Sequence, residues 1–144
     1  MVIAIIGENC TGKSALADKL KADYFAAVYT GKDYLRLAKN EADAVNAFKN
    51  LLANAVNGGN IIYVISEKAQ INLLPDGCFK IQVTAGLHKI KERFAARMGG
   101  TLPAAVENML EKNYGKFNDI SCNFHCTENS DYRDLAKELK NFGV

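Results

Sequence analysis

The chain has 144 residues, enough for one domain and too few for two ordinary ones. Hydrophobic residues make up 49% and charged residues 24%, a globular mixture that excludes a disordered or low-complexity chain. Lysine and arginine number 18 against 16 acidic residues, and a formal net charge of +2 gives no basis for a nucleic-acid or membrane-surface partner.

No apolar run approaches the roughly 20 residues that span a bilayer, and no Arg-rich leader precedes the first apolar segment. Cys10, Cys78, Cys122 and Cys126 are spread through a chain without a secretion signal, so reduced thiols in a cytoplasmic protein are the expectation. One soluble domain over residues 1–144, monomeric or a small homo-oligomer, follows from these observations.

Val2 to Ile6 reads as a buried strand, followed by a helix from Lys13 to about Ala22 with Leu16, Ala17 and Leu20 facing inward. Phe25 to Tyr29 is a short extended piece. A helical region in two parts covers Lys32 to Val56, with Val45, Phe48 and Leu52 at helical spacing and Gly58-Gly59 as the stop. Ile61 to Ile65 is the next strand, Pro75-Asp76-Gly77 a turn, and Phe79 to Thr84 another strand.

Leu87, Ile90, Phe94 and Met98 give one apolar helix face that ends at Gly99-Gly100. Thr101 with Pro103 opens a helix to about Tyr114. Cys122 to Thr127 is the last strand, and Ser130 starts a helix whose inner face carries Tyr132, Leu135, Leu139 and Phe142. Apolar strands separated by helices imply an α/β fold, a mainly parallel five-stranded sheet covered on both faces. In such sheets the ligand crevice lies beyond the carboxyl ends of the strands.

Gly7-Glu8-Asn9-Cys10-Thr11-Gly12-Lys13-Ser14 matches G-x-x-x-x-G-K-[ST] in full, directly after a strand and before a helix. Gly7 and Gly12 permit the tight path. The backbone from Asn9, Cys10 and Thr11 to Gly12, Lys13 and Ser14 then lines a concavity for phosphate oxygens at a helix N-terminus. Lys13 is expected to reach the β- and γ-phosphates of ATP, and the Ser14 hydroxyl to hold Mg²⁺. Glu8 reads as a solvated loop carboxylate, and Cys10 as a small uncharged side chain where such loops often carry glycine.

Beyond the loop, Thr30-Gly31-Lys32-Asp33-Tyr34-Leu35-Arg36 joins Thr-Gly to an aromatic residue and an arginine. Val83-Thr84-Ala85 is followed by Lys91-Glu92-Arg93-Phe94-Ala95-Ala96-Arg97, a strand leading into a basic helix. With the phosphate loop and the segment from Thr127 onward, these resemble the nucleoside monophosphate kinases of the P-loop class, especially cytidylate kinases, with shikimate-type kinases as neighbours. The resemblance implies a three-layer P-loop NTPase fold with sheet order 2-3-1-4-5, acceptor-binding helices over about 31–57 and a short lid over about 93–116. It also implies that Arg36 grips the acceptor phosphate and that the loop from Thr127 lies beside the nucleotide base. The chain departs from the family at Ser66-Glu67-Lys68, where Asp or a Gly-rich turn is common, and in the brevity of its lid.

Phosphoryl transfer needs charge neutralisation and in-line positioning. Lys89, Arg93 and Arg97 form a cationic stripe opposite the Leu87-Ile90-Phe94 face, and Arg93 and Arg97 can clamp a transferred phosphoryl group with planar forks. Arg36 is the candidate for an acceptor phosphate or carboxylate. Asp33 orients an acceptor hydroxyl or caps the following helix, and Tyr34 stacks on an acceptor ring or belongs to the core. Glu67, at the carboxyl end of a buried strand, is a second candidate for Mg²⁺.

Cys122, His125 and Cys126 lack zinc-site spacing. Asn118-Asp119 lacks the lysine of a guanine-reading N-K-x-D. The expected activity is a small kinase that moves the γ-phosphoryl of Mg·ATP to a nucleoside monophosphate-like acceptor. The alternatives are a kinase of a small hydroxylated metabolite, shikimate-like, and a nucleotide-sensing protein with little catalysis.

Overall fold

The computed structural model describes residues 1–143. Strands β1 (Val2–Ile6), β2 (Ala27–Thr30), β3 (Ile61–Ile65), β4 (Phe79–Val83) and β5 (Phe124–Cys126) form one sheet in the order β2-β3-β1-β4-β5. Every neighbouring pair is parallel. Helices α1 (Lys13–Tyr24), α2 (Glu41–Gly58), α3 (Leu87–Arg97), α4 (Ala104–Asn113) and α5 (Tyr132–Phe142) complete the α/β fold expected from the sequence.

β1 and β3 read as unbroken apolar runs because both faces are covered, whereas β4 carries Lys80 and Gln82 between its apolar residues. Alternation along β1 splits the core in two. Val2, Ala4 and Ile6 pack with Phe48 and Leu52 of α2 on one face. Ile3 and Ile5 pack with Ala17 and Leu20 of α1 and Leu135 and Leu139 of α5 on the other. A third, smaller apolar cluster joins Cys10, Ala85, Ile90 and Leu110 at the carboxyl end of the sheet.

Several boundaries differ from the sequence expectation for local physical reasons. Phe25 is not in β2: it closes α1 in a left-handed conformation (φ 50°), leaving its ring 93% exposed. The Lys32–Val56 region does fall into two parts, a 3₁₀ turn at Asp33–Leu37 and then α2, whose cap is Asn40, with Oδ1 accepting from the Asp43 N–H at 2.8 Å. A second 3₁₀ turn, Lys68–Leu73, was not legible from periodicity; a reciprocal capping box between Glu67 and Gln70 starts it.

Met98 is exposed instead of completing the inner face of α3, because the helix ends at Arg97 before Met98 can turn inward. β5 is short because the Asn123 side chain replaces a ladder partner, its Oδ1 accepting from the Lys80 N–H at 2.9 Å. Ser130 lies before α5; its Oγ accepts from the Thr127 N–H at 2.8 Å, and Asp131 caps the helix. Among the described residues no helix is long and apolar enough to cross a membrane, and the four cysteines are free.

Candidate active site

The register Ile6↔Ile65 and Ile6↔Gln82 aligns the carboxyl ends of β1, β3 and β4, so Gly7 emerges between Ser66 and Val83. Its N–H donates to the Ile65 carbonyl at 3.2 Å. A Cβ at this position would stand 2.4 Å from the Val83 carbonyl oxygen, so only glycine lets the loop leave β1 here. Two further residues of the loop, Cys10 (φ 64°) and Gly12 (φ 103°), are left-handed. The cysteine side chain in that conformation is compensated by burial in the apolar cluster with Ala85, Ile90 and Leu110.

The loop and α1 enclose one side of a cavity of about 340 Å³, lined by Asn9, Cys10, Gly12, Lys13 and Ser14, with Thr30, Val64, Ser66 and Arg97 opposite. The α1 N-terminus opens onto it without a side-chain cap, leaving its first N–H groups available to an anion. Lys13 is 6% exposed, and its Nζ donates to the Glu8 carbonyl at 2.6 Å. Burial lowers the ammonium to about 8, against the opposing pull of the nearby Glu8 carboxylate. The Thr11 hydroxyl donates to the same carbonyl at 2.8 Å, which fixes the turn of the loop.

The sequence-derived residues do not all converge. Arg97 reaches the cavity. Arg93 instead grips its wall, Nη1 donating to the Cys10 carbonyl at 2.9 Å and Nη2 lying 3.5 Å from Glu128 Oε1 on the loop after β5. Asp33 Oδ2 accepts from the Thr30 N–H at 2.9 Å and does not cap the following 3₁₀ turn, which has no side-chain cap. Tyr34 is 6% exposed and stacked on Phe48 at 5.4 Å, so its ring belongs to the core and not to the crevice. Arg36 is exposed, with its guanidinium over the Tyr29 ring at 4.9 Å.

Glu67 is also elsewhere: its carboxylate caps the following 3₁₀ turn, while Ser66 is the residue that lines the cavity. Sequence reasoning missed Glu8, which is not a solvated carboxylate. It is 9% exposed, and its Oε1 accepts from the Gly115 N–H at 2.6 Å. No local pattern announces a partner 107 residues away in the chain.

For Mg²⁺, the side-chain hydroxyls lining the cavity are those of exposed Ser14 and, across it, Thr30 and Ser66. This sparse set fits a small, reluctantly dehydrated cation that takes most of its ligands from phosphates and water.

No family model and no curated protein sequence matches this chain. Solved structures share its fold. YorR protein from Bacillus subtilis, in complex with phosphorylated GDP, superposes with a TM-score of 0.64 at 17% identity over 98% of this chain and 94% of its own. A gluconokinase from Sinorhizobium meliloti gives 0.59 at 9% identity, covering 99% and 90% respectively. Shikimate kinase from Aquifex aeolicus gives 0.53 at 14%, covering 98% and 94%. At these identities the likeness establishes the fold, the architecture of small P-loop kinases.

Proposed function

We propose that this chain is a small ATP-dependent kinase that transfers the γ-phosphoryl group of Mg·ATP to a nucleoside monophosphate-like acceptor. The observation that carries the reading is the cavity in which the uncapped α1 N-terminus, Lys13 and Arg97 converge. Three sources of positive potential around about 340 Å³ suit a triphosphate tail better than any uncharged ligand.

In this reading, backbone N–H groups from Asn9 to Ser14 hold the β-phosphate. Lys13 exchanges the Glu8 carbonyl for phosphate oxygens, and Arg97 meets the charge that builds on the transferred group. Arg93 acts through the loop, by fixing the Cys10 carbonyl. The Ser14 hydroxyl would hold Mg²⁺, which would supply charge neutralisation for the phosphates. The acceptor oxygen forms its bond to the γ-phosphorus as the bond to the β,γ-bridging oxygen breaks. Any acceptor hydroxyl proton leaves to solvent or to a nearby base.

The acceptor enters beside Thr30, Val64 and Ser66. Arg36, exposed at the rim of the 3₁₀ turn, is the residue that would take its phosphate. The loop from Thr127 to Asp131 takes the base side of the nucleotide, beside a cavity of about 250 Å³ lined by Ala15, Leu16, Lys19 and Tyr132.

A second reading, a kinase of a small hydroxylated metabolite, is favoured by the acceptor wall itself. Thr30 and Ser66 offer hydroxyls there, while Arg36 rests on Tyr29. The gluconokinase and shikimate kinase among the structural neighbours act in that class by name.

Thermal shifts with a non-hydrolysable ATP analogue plus either CMP or shikimate separate the two. The first reading expects a further shift with CMP that Arg36→Ala removes. A shift with shikimate alone, or a CMP shift unaltered in Arg36→Ala, contradicts it.

A further inference from the structure

Glu8 is part of the phosphate loop by sequence, yet it is not among the residues lining the phosphate cavity. Its side chain runs the other way, into a recess shared with Ile90, Leu110, Tyr114 and Lys116. There the carboxylate meets the backbone of Gly115, just after α4. We propose that Glu8 is a positioning residue that latches the phosphate loop to the C-terminal turn of α4, so that loop and lid helix shift together. The catalytic meaning of the latch rests on the kinase reading above; the mechanical linkage does not.

Two features make the linkage directional. First, α4 is bounded by backbone that only glycine adopts readily: Gly99 (φ 91°) and Gly100 (φ 105°) before it, Gly115 (φ 81°) after it. These are points at which the helix can swing, and at Gly115 the swing meets a charge-assisted hydrogen bond of 2.6 Å. The Tyr114 hydroxyl, donating to the Ala85 carbonyl at 3.3 Å, is a longer second tie at that end.

Second, Glu8 is a node. The residue whose carboxylate holds Gly115 is the residue whose carbonyl holds the Lys13 ammonium and the Thr11 hydroxyl. Displacing the end of α4 therefore pulls on the peptide that positions the phosphate-binding lysine. The other side of the loop is tied to α3 and α4 independently, through Arg93 on the Cys10 carbonyl and the Cys10 side chain beside Ile90 and Leu110. With Glu8 in place the loop is gripped at two points; without it, only at one.

Residue-resolved amide hydrogen exchange on the full chain tests this, comparing wild type, Glu8→Gln and Glu8→Ala, each alone and with Mg·ATP. Glutamine keeps an acceptor for the Gly115 N–H and alanine does not. In the free protein, Glu8→Ala is expected to speed exchange at Gly115 and at Leu16, whose N–H donates to the Gly12 carbonyl of the loop at 3.3 Å, together, by about tenfold or more, with Glu8→Gln within about threefold of wild type. Amides of β1 and β3 report whether the fold is intact. If Glu8→Ala does not fold, Glu8→Asp, which retains charge but lacks the reach, replaces it.

With Mg·ATP, the wild type gains protection at Gly115 and at residues 10–13, and Glu8→Ala only at residues 10–13. Acceleration at Gly115 alone, or rates in Glu8→Ala equal to wild type, overturns the latch. Absence of protection at residues 10–13 in the wild type contradicts the kinase reading, while the free-protein comparison still decides the latch.

Discussion

Lys13 shows a conflict between stability and function at a single side chain. Its ammonium is buried where a carbonyl and a nearby carboxylate only partly replace water, so burial lowers it from 10.5 to about 8. Between those two values the unfolded chain binds more protons than the folded one, and this group makes stability rise with pH from about 8 to 10.5. Below about 8 both states hold the proton, and the group contributes no slope.

Lys13→Met is expected to be more stable than wild type by roughly 1–2 kcal/mol near neutral pH, with the gap closing on the alkaline side. Urea midpoints of the two proteins across that range check it. On the kinase reading, the same substitution is expected to abolish nucleotide binding. In wild type, affinity for Mg·ATP is expected to hold below pH about 8 and to fall above it, by up to about tenfold per unit, as the free lysine loses its charge.

Gly7 makes the complementary point. Gly7→Ala puts a methyl 2.4 Å from the Val83 carbonyl oxygen, backbone that cannot step aside, and is expected to cost at least about 3 kcal/mol by chemical denaturation. The motif made both residues legible in the sequence. Glu8 was not, because its role depends on a hydrogen bond to a residue far along the chain.

Among the elements, α2 supports the side of the cavity that the kinase reading assigns to the acceptor. Phe48 is fully buried and touches three tyrosine rings: Tyr29 at 5.1 Å, Tyr34 at 5.4 Å and Tyr63 at 4.9 Å. Those rings sit on β2, the first 3₁₀ turn and β3, the segments that carry Thr30 and Arg36. The Tyr63 hydroxyl completes the anchor by donating to the Gly31 carbonyl at 2.7 Å. Phe48→Ala is expected to cost about 3–5 kcal/mol and, on the kinase reading, to weaken acceptor binding more than ATP binding, because Phe48 packs under β2, the first 3₁₀ turn and β3, whereas Cys10 of the phosphate loop packs in the separate cluster with Ala85, Ile90 and Leu110. Calorimetric titration of each ligand checks the asymmetry.

At this scale the sequence was informative wherever periodicity was long. β1, β3, α1 and the interior of α2 appear where the apolar spacing put them. It was uninformative where one polar side chain decides the outcome, as Asn123 does at β5 and the Glu67–Gln70 box does after β3. The tyrosine at 34 illustrates the ambiguity of a single aromatic: its spacing fits an acceptor platform and a core position equally, and packing on Phe48 resolves it.

For the whole molecule, strand order was legible only through the family resemblance. Periodicity names apolar strands but not their neighbours, which depend on crossovers that no local window contains. The observed order β2-β3-β1-β4-β5 places the phosphate loop at the centre of the sheet, with acceptor-side elements on one flank and the Arg93–Glu128 contact on the other. On the kinase reading, that arrangement would let one small chain present two ligands end to end.

Phosphoryl transfer itself is the most direct test. Purified protein with Mg·ATP, incubated with a panel of nucleoside monophosphates and hydroxylated acids and followed by phosphorus NMR, reads both ADP and the phosphorylated product. One acceptor is expected to gain phosphate at the rate ADP appears, with both signals lost in Lys13→Ala. ADP formation without any phosphorylated acceptor, or product that persists in Lys13→Ala, would contradict the assignment of this cavity to kinase chemistry.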